Sequence, residues 1–401
     1  MLAFQNQDAE DRFYMAEALR LARKGRFTTH PNPRVGCVLV KDKQIIGRGW
    51  HRKAGEPHAE VHALRQAAER ANGACAYVTL EPCSHFGKTP PCADALITAG
   101  VARVVVAMED PNPQVAGSGL KKLQAAGIEV AVNVLAEAAR DLNKGFIKRM
   151  KSGLPWVTLK LAMSLDGRTA MDSGESQWIT GPAARADVQR LRAETAAIVT
   201  GIGTLLHDDA ALTVRAEQFD CACFAEDVFN DARNEVADAD FDGVKLSEVL
   251  AAQPLRVILD SQARMPESSR LLQTHSPILW VISDRVELNP GQQVIADLPY
   301  VELLRLPELT ETERLTYLLK QLASKGINEV LVEAGAQVAG SFIATDVWDE
   351  LCVYMAPKLM GSKARPLARL DLDNMADSKA LKLMDLRQIG QDIRLIYHPA
   401  D

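Results

Sequence analysis

The sequence predicts an α/β protein of two domains, and three observations lead to that expectation. The chain has 401 residues, whereas single globular domains usually span about 100–200 residues. Short apolar segments alternate with amphipathic helical segments along the chain, which is typical of sheets covered by helices. The segment KSGLP at 151–155 interrupts this pattern, because glycine and proline break helices. We therefore expect domains at 1–150 and 151–401.

In the first half, helices and strands are expected to alternate and to form an αβα layered domain. The predicted helices are 8–25, 58–71, 92–99, 119–126 and 135–150, and the predicted strands are 35–40, 45–49, 76–80, 103–107 and 128–132. The first two strands are close enough in sequence to pair as a hairpin.

The second half predicts another α/β set, interrupted by an acidic insertion. The predicted strands are 156–161, 197–200, 256–260, 278–282, 329–333 and 351–355, and the predicted helices are 183–193, 312–325 and 337–345. The stretch 216–252 is rich in Asp and Glu and is expected to be solvated. It contains Cys221 and Cys223, but no second cysteine pair lies near enough in sequence to complete a metal site.

Composition and charge exclude several classes of protein. The chain has 46 Lys and Arg against 52 Asp and Glu, a formal charge of −6, which argues against nucleic acid or an anionic membrane as partner. No apolar run approaches the ~18 residues of a membrane span, and the first residues lack the pattern of a secretory signal. Seven cysteines spread over the chain favour reduced thiols, so we expect a cytoplasmic protein.

The strongest chemical signal is His58 and Glu60, followed by Cys83 and Cys92. One imidazole and two thiolates are three zinc ligands, and a catalytic zinc site keeps its fourth position for water, whose pKa the metal lowers toward ~7. Glu60 lies two residues after His58, where a proton shuttle belongs. This pattern matches zinc deaminases of nucleobases, except that eight residues, including Lys88, separate the two cysteines instead of two.

Other interpretations of this pattern remain open. His58 and His62 have the spacing of a metalloprotease helix, but that motif needs Glu where Ala59 stands. A structural zinc site would need a fourth protein ligand, for which His51 and His85 are available. A nucleic-acid base deaminase with an accessory domain, or a zinc protein that senses a nucleotide, would also fit the motif alone.

The second half carries weaker signals for a phosphorylated cofactor and substrate. Gly335 follows a predicted strand and opens a predicted helix, where free backbone N–H groups can bind phosphate. Arg192 and Arg215 are candidates for a substrate phosphate, because guanidinium groups bind phosphate bidentately. Lys160 and Glu333 are charged groups on predicted strands, which indicates orienting roles. Trp178 could cover a nicotinamide or fill the core.

Several longer segments resemble the bifunctional riboflavin-biosynthesis deaminase/reductase family of bacteria. In the first half they are THPNPRVGCV at 29–38, GRGWH at 47–51, GEPHAE at 55–60 and TLEPCSHFGKTPPC at 79–92. In the second half they are LKLAMSLDGRTA at 159–170, SGESQWIT at 173–180, DDAALTVR at 208–215, VEAG at 332–335 and APKLMG at 356–361. The resemblance covers almost the whole chain and departs at the acidic stretch.

The resemblance implies a cytidine-deaminase-like domain followed by a dihydrofolate-reductase-like domain, one zinc ion per chain, NADPH and a small phosphorylated pyrimidine nucleotide as substrate. We also expect a homo-oligomer. By resemblance, the zinc ligands are His58, Cys83 and Cys92, and Glu60 is catalytic. The implied substrate-binding residues are Asn32, His51, Lys88, Ser176, Arg192, Leu212, Arg215 and Glu333. The implied cofactor-binding residues, to which we add Lys160, are Ala162, Trp178, Thr204, Asp208, Gly335, Ala336, Gln337, Val338, Ala339, Gly340 and Ser341.

Overall fold

A computed structural model of the chain describes residues 4–85, 90–113, 115–218, 240–241 and 244–400. The chain divides into two compact units. The first comprises Met1–Leu154 with Val228–Val249, and the second comprises Pro155–Asp227 with Leu250–Asp401. Across the described ranges, none of the helices combines the length and apolar character that a membrane crossing needs.

The first unit is built on a five-stranded sheet. Its elements are α1 (Gln7–Arg23), β1 (Gly36–Lys41), β2 (Gln44–Trp50), α2 (Ala59–Ala67), β3 (Cys75–Val78), α3 (Cys92–Thr98), β4 (Arg103–Val106), α4 (Ser118–Ala125), β5 (Glu129–Ala131), α5 (Ala136–Leu142) and α6 (Lys144–Ser152). The strand order is β2-β1-β3-β4-β5. Strand β1 is antiparallel to β2 and β3, while β3, β4 and β5 run parallel.

Helices cover both faces of this sheet at close range. A Cβ atom on Gly36 would lie 1.9 Å from the Ala18 carbonyl oxygen of α1, and one on Gly49 would lie 2.0 Å from the Ala59 carbonyl oxygen of α2. Only glycine permits such close approach of backbones. The small side chains of α2, including Ala63, pack into the core beneath the sheet. This packing fixes the start of α2, where His58 and Glu60 lie.

The second unit is built on a nine-stranded sheet. Its first elements are β6 (Trp156–Ser164), β7 (Arg168–Ala170), α7 (Pro182–Glu194), β8 (Ala197–Gly201) and α8 (Ile202–Asp208). Next along the chain come the short pieces β9 (Asp240–Phe241) and β10 (Val244–Lys245), which the division groups with the first unit, and α9 (Leu246–Ala251), which spans the boundary between the two units. The remaining elements are β11 (Leu255–Leu259), α10 (Arg270–Gln273), β12 (Ile278–Ser283), α11 (Pro290–Ala296), β13 (Val301–Leu306), α12 (Glu311–Ser324), β14 (Glu329–Val332), α13 (Ala336–Ala344), β15 (Glu350–Ala356), β16 (Arg365–Pro366), β17 (Leu381–Ile389) and β18 (Asp392–Pro399).

The order of the large sheet is β13-β12-β11-β8-β14-β6-β15-β18-β17. The strands from β13 to β15 run parallel, and β18 and β17 are antiparallel additions at one edge. The chain passes from β6 to β8 and outward to β13, then returns to insert β14 between β8 and β6. Ligands of open parallel sheets bind at the carboxyl ends of the strands near such a reversal. The ends of β6, β8 and β14 are therefore the expected site.

The structure confirms the α/β class in both halves and corrects several elements. The helix predicted at 135–150 is two helices that meet at Asn143, whose side chain bonds both the N–H and the carbonyl of Arg34, at 2.8 and 3.0 Å. Helix α6 continues through Ser152, so the predicted linker begins as helix and is broken at Gly153, where φ is +68°. Strands β13, β17 and β18 were not predicted. Most of the predicted insertion, including both of its cysteines, lies outside the described residues.

Candidate active sites

Three elements of the first unit bring the predicted zinc ligands together. His58 precedes the first turn of α2, Cys92 is the first residue of α3, and Cys83 lies in the loop after β3. The Nδ1 atom of His58 lies 3.6 Å from the Sγ atom of Cys83 and 3.3 Å from that of Cys92. The backbone N–H of Cys92 also donates to Cys83 Sγ, at 3.3 Å. The loop and both helix starts thus converge on one point.

The geometry of this cluster fits a tetrahedral zinc ion. Ligands at zinc–nitrogen and zinc–sulfur distances of about 2.0 and 2.3 Å would lie about 3.5–3.8 Å from one another. The three ligand atoms lie within 4.8 Å of one another, and no other group of this kind is found among the described residues. The neighbouring Cys92 thiol and the His58 imidazole lower the pKa of Cys83, which favours the thiolate that a metal requires. Imidazole with two thiolates is also a donor set that zinc prefers.

Glu60 lies beside the cluster and is almost completely buried. The residue is 3% exposed. Burial raises the pKa of the Glu60 carboxyl. The first turn of α2 therefore aims one carboxyl group at the metal cluster and shields it from bulk water.

A cavity of about 520 Å³ opens onto the cluster and holds two of the predicted substrate residues. Asn32 donates from Nδ2 to His51 Nε2 at 3.1 Å, so the proton of the imidazole lies on Nδ1, which donates to the Pro57 carbonyl at 3.3 Å. Burial lowers the pKa of His51 to about 4. The ring is therefore neutral at pH 7 with a fixed tautomer. Lys88, predicted to contact the same ligand, lies outside the described residues.

Glu81 is a residue of this site that the sequence analysis missed. Its buried carboxylate accepts hydrogen bonds from the backbone N–H groups of Asp110, Gly117, Gly119 and Leu120, at 2.8 to 3.4 Å. Glu81 thereby holds the loop that contributes Asp110 and Asn112 to the cavity wall. The sequence signal that could have revealed it is the position of this charged residue directly after the predicted strand 76–80.

In the second unit, three predicted residues form one charge network where β6 lies beside the end of β14. Arg192 of α7 donates from Nε and Nη2 to the two carboxylate oxygens of Glu333, at 2.6 and 3.1 Å. Lys160 Nζ lies 3.6 Å from the same carboxylate. Burial would raise the pKa of Glu333, but the charges of Arg192 and Lys160 outweigh it and lower the pKa to about 2. The contact of Arg192 with a substrate phosphate remains a prediction.

Other predicted reductase residues lie at the same edge of the sheet. Ser176 donates to Asp208 Oδ1 at 3.0 Å, which joins a predicted substrate residue to a predicted cofactor residue of α8. Trp178 does not fill the core, since it is 58% exposed with the Arg185 guanidinium 4.5 Å from its ring centroid. Ala162 lies on β6 and Thr204 on α8.

The predicted phosphate loop 335–341 forms the start of α13. Gly335 precedes the helix with φ −73°, and a Cβ atom there would meet nothing within 4 Å. At position 340, glycine is required by packing, because a Cβ atom there would lie 2.1 Å from the Arg369 carbonyl oxygen. Ser341 donates to Glu311 at 2.5 Å. The open space is therefore at the first residues of the helix, where backbone N–H groups are available to a ligand.

Both halves of the chain match families of known proteins. Residues 8–108 match the family described as the cytidine and deoxycytidylate deaminase zinc-binding region, and residues 155–395 match the RibD C-terminal domain. The riboflavin biosynthesis protein RibD of Escherichia coli K12 is 50% identical over 387 residues, which cover 96% of this chain and 98% of that protein. RibD of Haemophilus influenzae is 48% identical over 400 residues, which cover 100% of this chain and 99% of that protein.

The chain belongs to the RibD family of riboflavin-biosynthesis proteins. A solved RibD structure from Acinetobacter baumannii has a TM-score of 0.85 at 44% identity, covering 98% of this chain and 100% of that one. A Thermotoga maritima structure, described as a diaminohydroxyphosphoribosylaminopyrimidine deaminase/5-amino-6-(5-phosphoribosylamino)uracil reductase, has a TM-score of 0.80 at 30% identity, with the same coverage. As a RibD protein, the chain is a bifunctional deaminase/reductase that uses zinc and a nicotinamide cofactor.

The metal cluster predicts that Cys83→Ser abolishes tight zinc binding, because serine replaces a thiolate ligand with a neutral hydroxyl. Metal analysis of purified protein should find one zinc per wild-type chain and a large loss in the variant. Cys75→Ser is the matched control, since Cys75 is a half-buried cysteine outside the cluster, and it should keep its zinc. Full zinc content in Cys83→Ser would contradict the ligand assignment.

Proposed function

We propose that the first half deaminates C2 of 2,5-diamino-6-(5-phosphoribosylamino)pyrimidin-4(3H)-one. The second half then reduces the ribosyl group of the product with NADPH to give 5-amino-6-(5-phosphoribitylamino)uracil. The observation that carries the proposal is the cavity in which the His58, Cys83 and Cys92 cluster meets the buried Glu60 carboxyl. The activities in the description of the Thermotoga maritima relative support this substrate.

In the proposed deamination, Glu60 moves a proton between the attacking water and the leaving amine. Zinc, when bound by His58, Cys83 and Cys92, supplies a Lewis acid that makes water a better nucleophile at neutral pH. Glu60 takes a proton as the new carbon–oxygen bond forms at C2. It returns a proton to the nitrogen as the carbon–nitrogen bond breaks and ammonia leaves.

Asn32 and His51 are proposed to hold the pyrimidine ring in this cavity. Both are neutral, and because both ring nitrogens of His51 have protein partners, we propose that Asn32 contacts the edge of the pyrimidine and that the His51 imidazole orients Asn32. Neutral donors and acceptors suit the edge of an uncharged ring. Lys88 is proposed to bind an anionic part of the same nucleotide.

In the proposed reduction, the ends of β6, β8 and β14 hold the cofactor and the ribosyl group. NADPH, when bound, supplies the hydride. The hydride adds to C1′ while the bond from C1′ to the ring oxygen breaks, and that oxygen gains a proton to become a hydroxyl of the ribityl chain. Lys160 and Glu333 are placed to orient the reacting groups, and Arg215 is proposed to bind the phosphate.

The proposal extends to domain organisation and assembly. We assign deamination to 1–150 and reduction to 151–401, and the family matches at 8–108 and 155–395, one within each range, support this assignment. We also propose a homo-oligomer. Its support is the edge strand β17, where Leu381, Leu383, Met384 and Leu386 are 41% to 58% exposed, since long apolar edge strands are usually covered.

Glu60→Gln is expected to lower deamination by at least about 10²-fold, because an amide cannot accept and release the proton. Turnover of the diaminopyrimidine nucleotide is the measurement, with zinc content and reduction of the deaminated nucleotide as internal controls. Glu69→Gln makes the same chemical change at an exposed site of the same unit and should leave all three unchanged. Substantial deamination by Glu60→Gln would remove Glu60 from the mechanism.

Gly335→Ala is expected to raise the KM for NADPH about tenfold, because a methyl group would occupy space proposed for the cofactor phosphate and cost one charge-assisted hydrogen bond. The backbone tolerates alanine at this φ, and no protein atom lies in the way, so the effect reports on the ligand. Deamination by the same protein should not change. An unaltered KM, or equal use of NADH and NADPH by the wild type, would contradict this placement.

A further inference from the structure

The loop 209–215 of the second unit has no helix or strand, yet three of its residues are buried. It joins α8 to a short turn and carries Leu212 and Arg215, both expected from the family resemblance to bind the reductase substrate. Ala211, Leu212 and Val214 are between 2% and 5% exposed, and Leu212 has a φ of +54°. Buried backbone N–H and carbonyl groups must find partners. Here, side chains from elsewhere in the unit supply them.

Gln253, just before β11, pairs with this loop in the way that a neighbouring strand would. Its Oε1 accepts from the Val214 N–H at 2.8 Å, and its Nε2 donates to the Val214 carbonyl at 3.2 Å. The same Nε2 also donates to the Leu250 carbonyl at 3.0 Å. Only a side-chain amide offers both a donor and an acceptor in this geometry.

Arg256, on β11 itself, binds the loop at Ala211, the residue before Leu212. Its side chain is fully buried, and Nη1 donates to the Ala211 carbonyl at 3.2 Å and to the Leu271 carbonyl at 2.7 Å. Further bonds join it to Thr274 Oγ1 and the Ser276 carbonyl. All these acceptors are neutral. The guanidinium thus ties the loop to α10 and the turn that follows it.

The loop also contacts the buried charge network of the reductase site. Arg192, which holds Glu333, donates from Nη1 to the Thr213 carbonyl at 3.1 Å. The Arg215 N–H donates to Gln189 Oε1 at 3.0 Å. A shift of the loop would therefore move Leu212 and the backbone of Arg215 relative to Glu333.

We propose that Gln253 and Arg256 are positioning residues of the reductase, which fix the loop 209–215 so that Leu212 and Arg215 face the nucleotide. The proposal rests on the proposed function of this loop. Neither residue needs to touch the nucleotide. Substitutions at these residues should therefore change the KM for the nucleotide and leave the KM for NADPH and the rate of deamination unchanged.

The test is Gln253→Glu in the full chain. Glutamate keeps the acceptor for the Val214 N–H but turns an oxygen toward the carbonyls of Val214 and Leu250, so that both donated hydrogen bonds are replaced by repulsion. We expect the KM for the deaminated nucleotide to rise about tenfold, which corresponds to about 1.4 kcal/mol. The KM for NADPH and the deaminase rate should stay at wild-type values.

Gln293→Glu is the matched control, since Gln293 is exposed on α11 and the change in charge is the same. It should behave as wild type. If Gln253→Glu does not fold, Gln253→Met, which removes all three side-chain hydrogen bonds without adding charge, is measured in the same way. An unchanged nucleotide KM in the folded variant, or an equal rise in both KM values, would overturn the positioning role. A wild-type chain that does not reduce the nucleotide would overturn the proposed function, and the positioning role with it.

Discussion

The buried ion pair between Arg192 and Glu333 is the contact on which the reductase half most depends. Glu333 follows a central strand and is 9% exposed, so its charge would be costly without partners. Removing one partner of such a pair destabilises a protein by about 3–5 kcal/mol. Because Arg192 also binds the carbonyl of Thr213, this one side chain fixes both the end of β14 and the neighbouring loop.

Glu81 has the corresponding position in the deaminase half. It accepts hydrogen bonds from Gly117 and Gly119 at the start of α4, and Cys83, which we predict to bind zinc, follows two residues later. In each half, a buried carboxylate just beyond a central strand holds a loop that carries the chemistry. The partners differ, since Glu333 is neutralised by cations while Glu81 is satisfied by backbone N–H groups. The loop that Glu81 holds in the deaminase half is therefore fixed by backbone hydrogen bonds rather than by a buried cation.

The sequence predicted that His58, Cys83 and Cys92 come together, because they belong to local patterns of strand, loop and helix start, and the structure places their ligand atoms within 4.8 Å of one another. It did not predict Glu81, whose partners lie about thirty residues away and become neighbours only through the parallel pairing of β3 and β4. It also joined α5 and α6, because the break at Asn143 depends on a bond to the distant Arg34. Strand β17 was missed since its apolar residues are exposed and do not alternate cleanly. Local sequence patterns were therefore sufficient to predict which residues form the cluster. They were insufficient to predict features that depend on contacts between distant parts of the chain.

The most direct test of two consecutive reactions in one chain is the product mass after incubation with the diaminopyrimidine nucleotide. Without NADPH, we predict that one amino group is replaced by oxygen and that nothing else changes. With NADPH, the same product should also gain two hydrogens. A product that has gained two hydrogens while both amino groups remain, or a nucleotide unchanged under both conditions, would contradict the account.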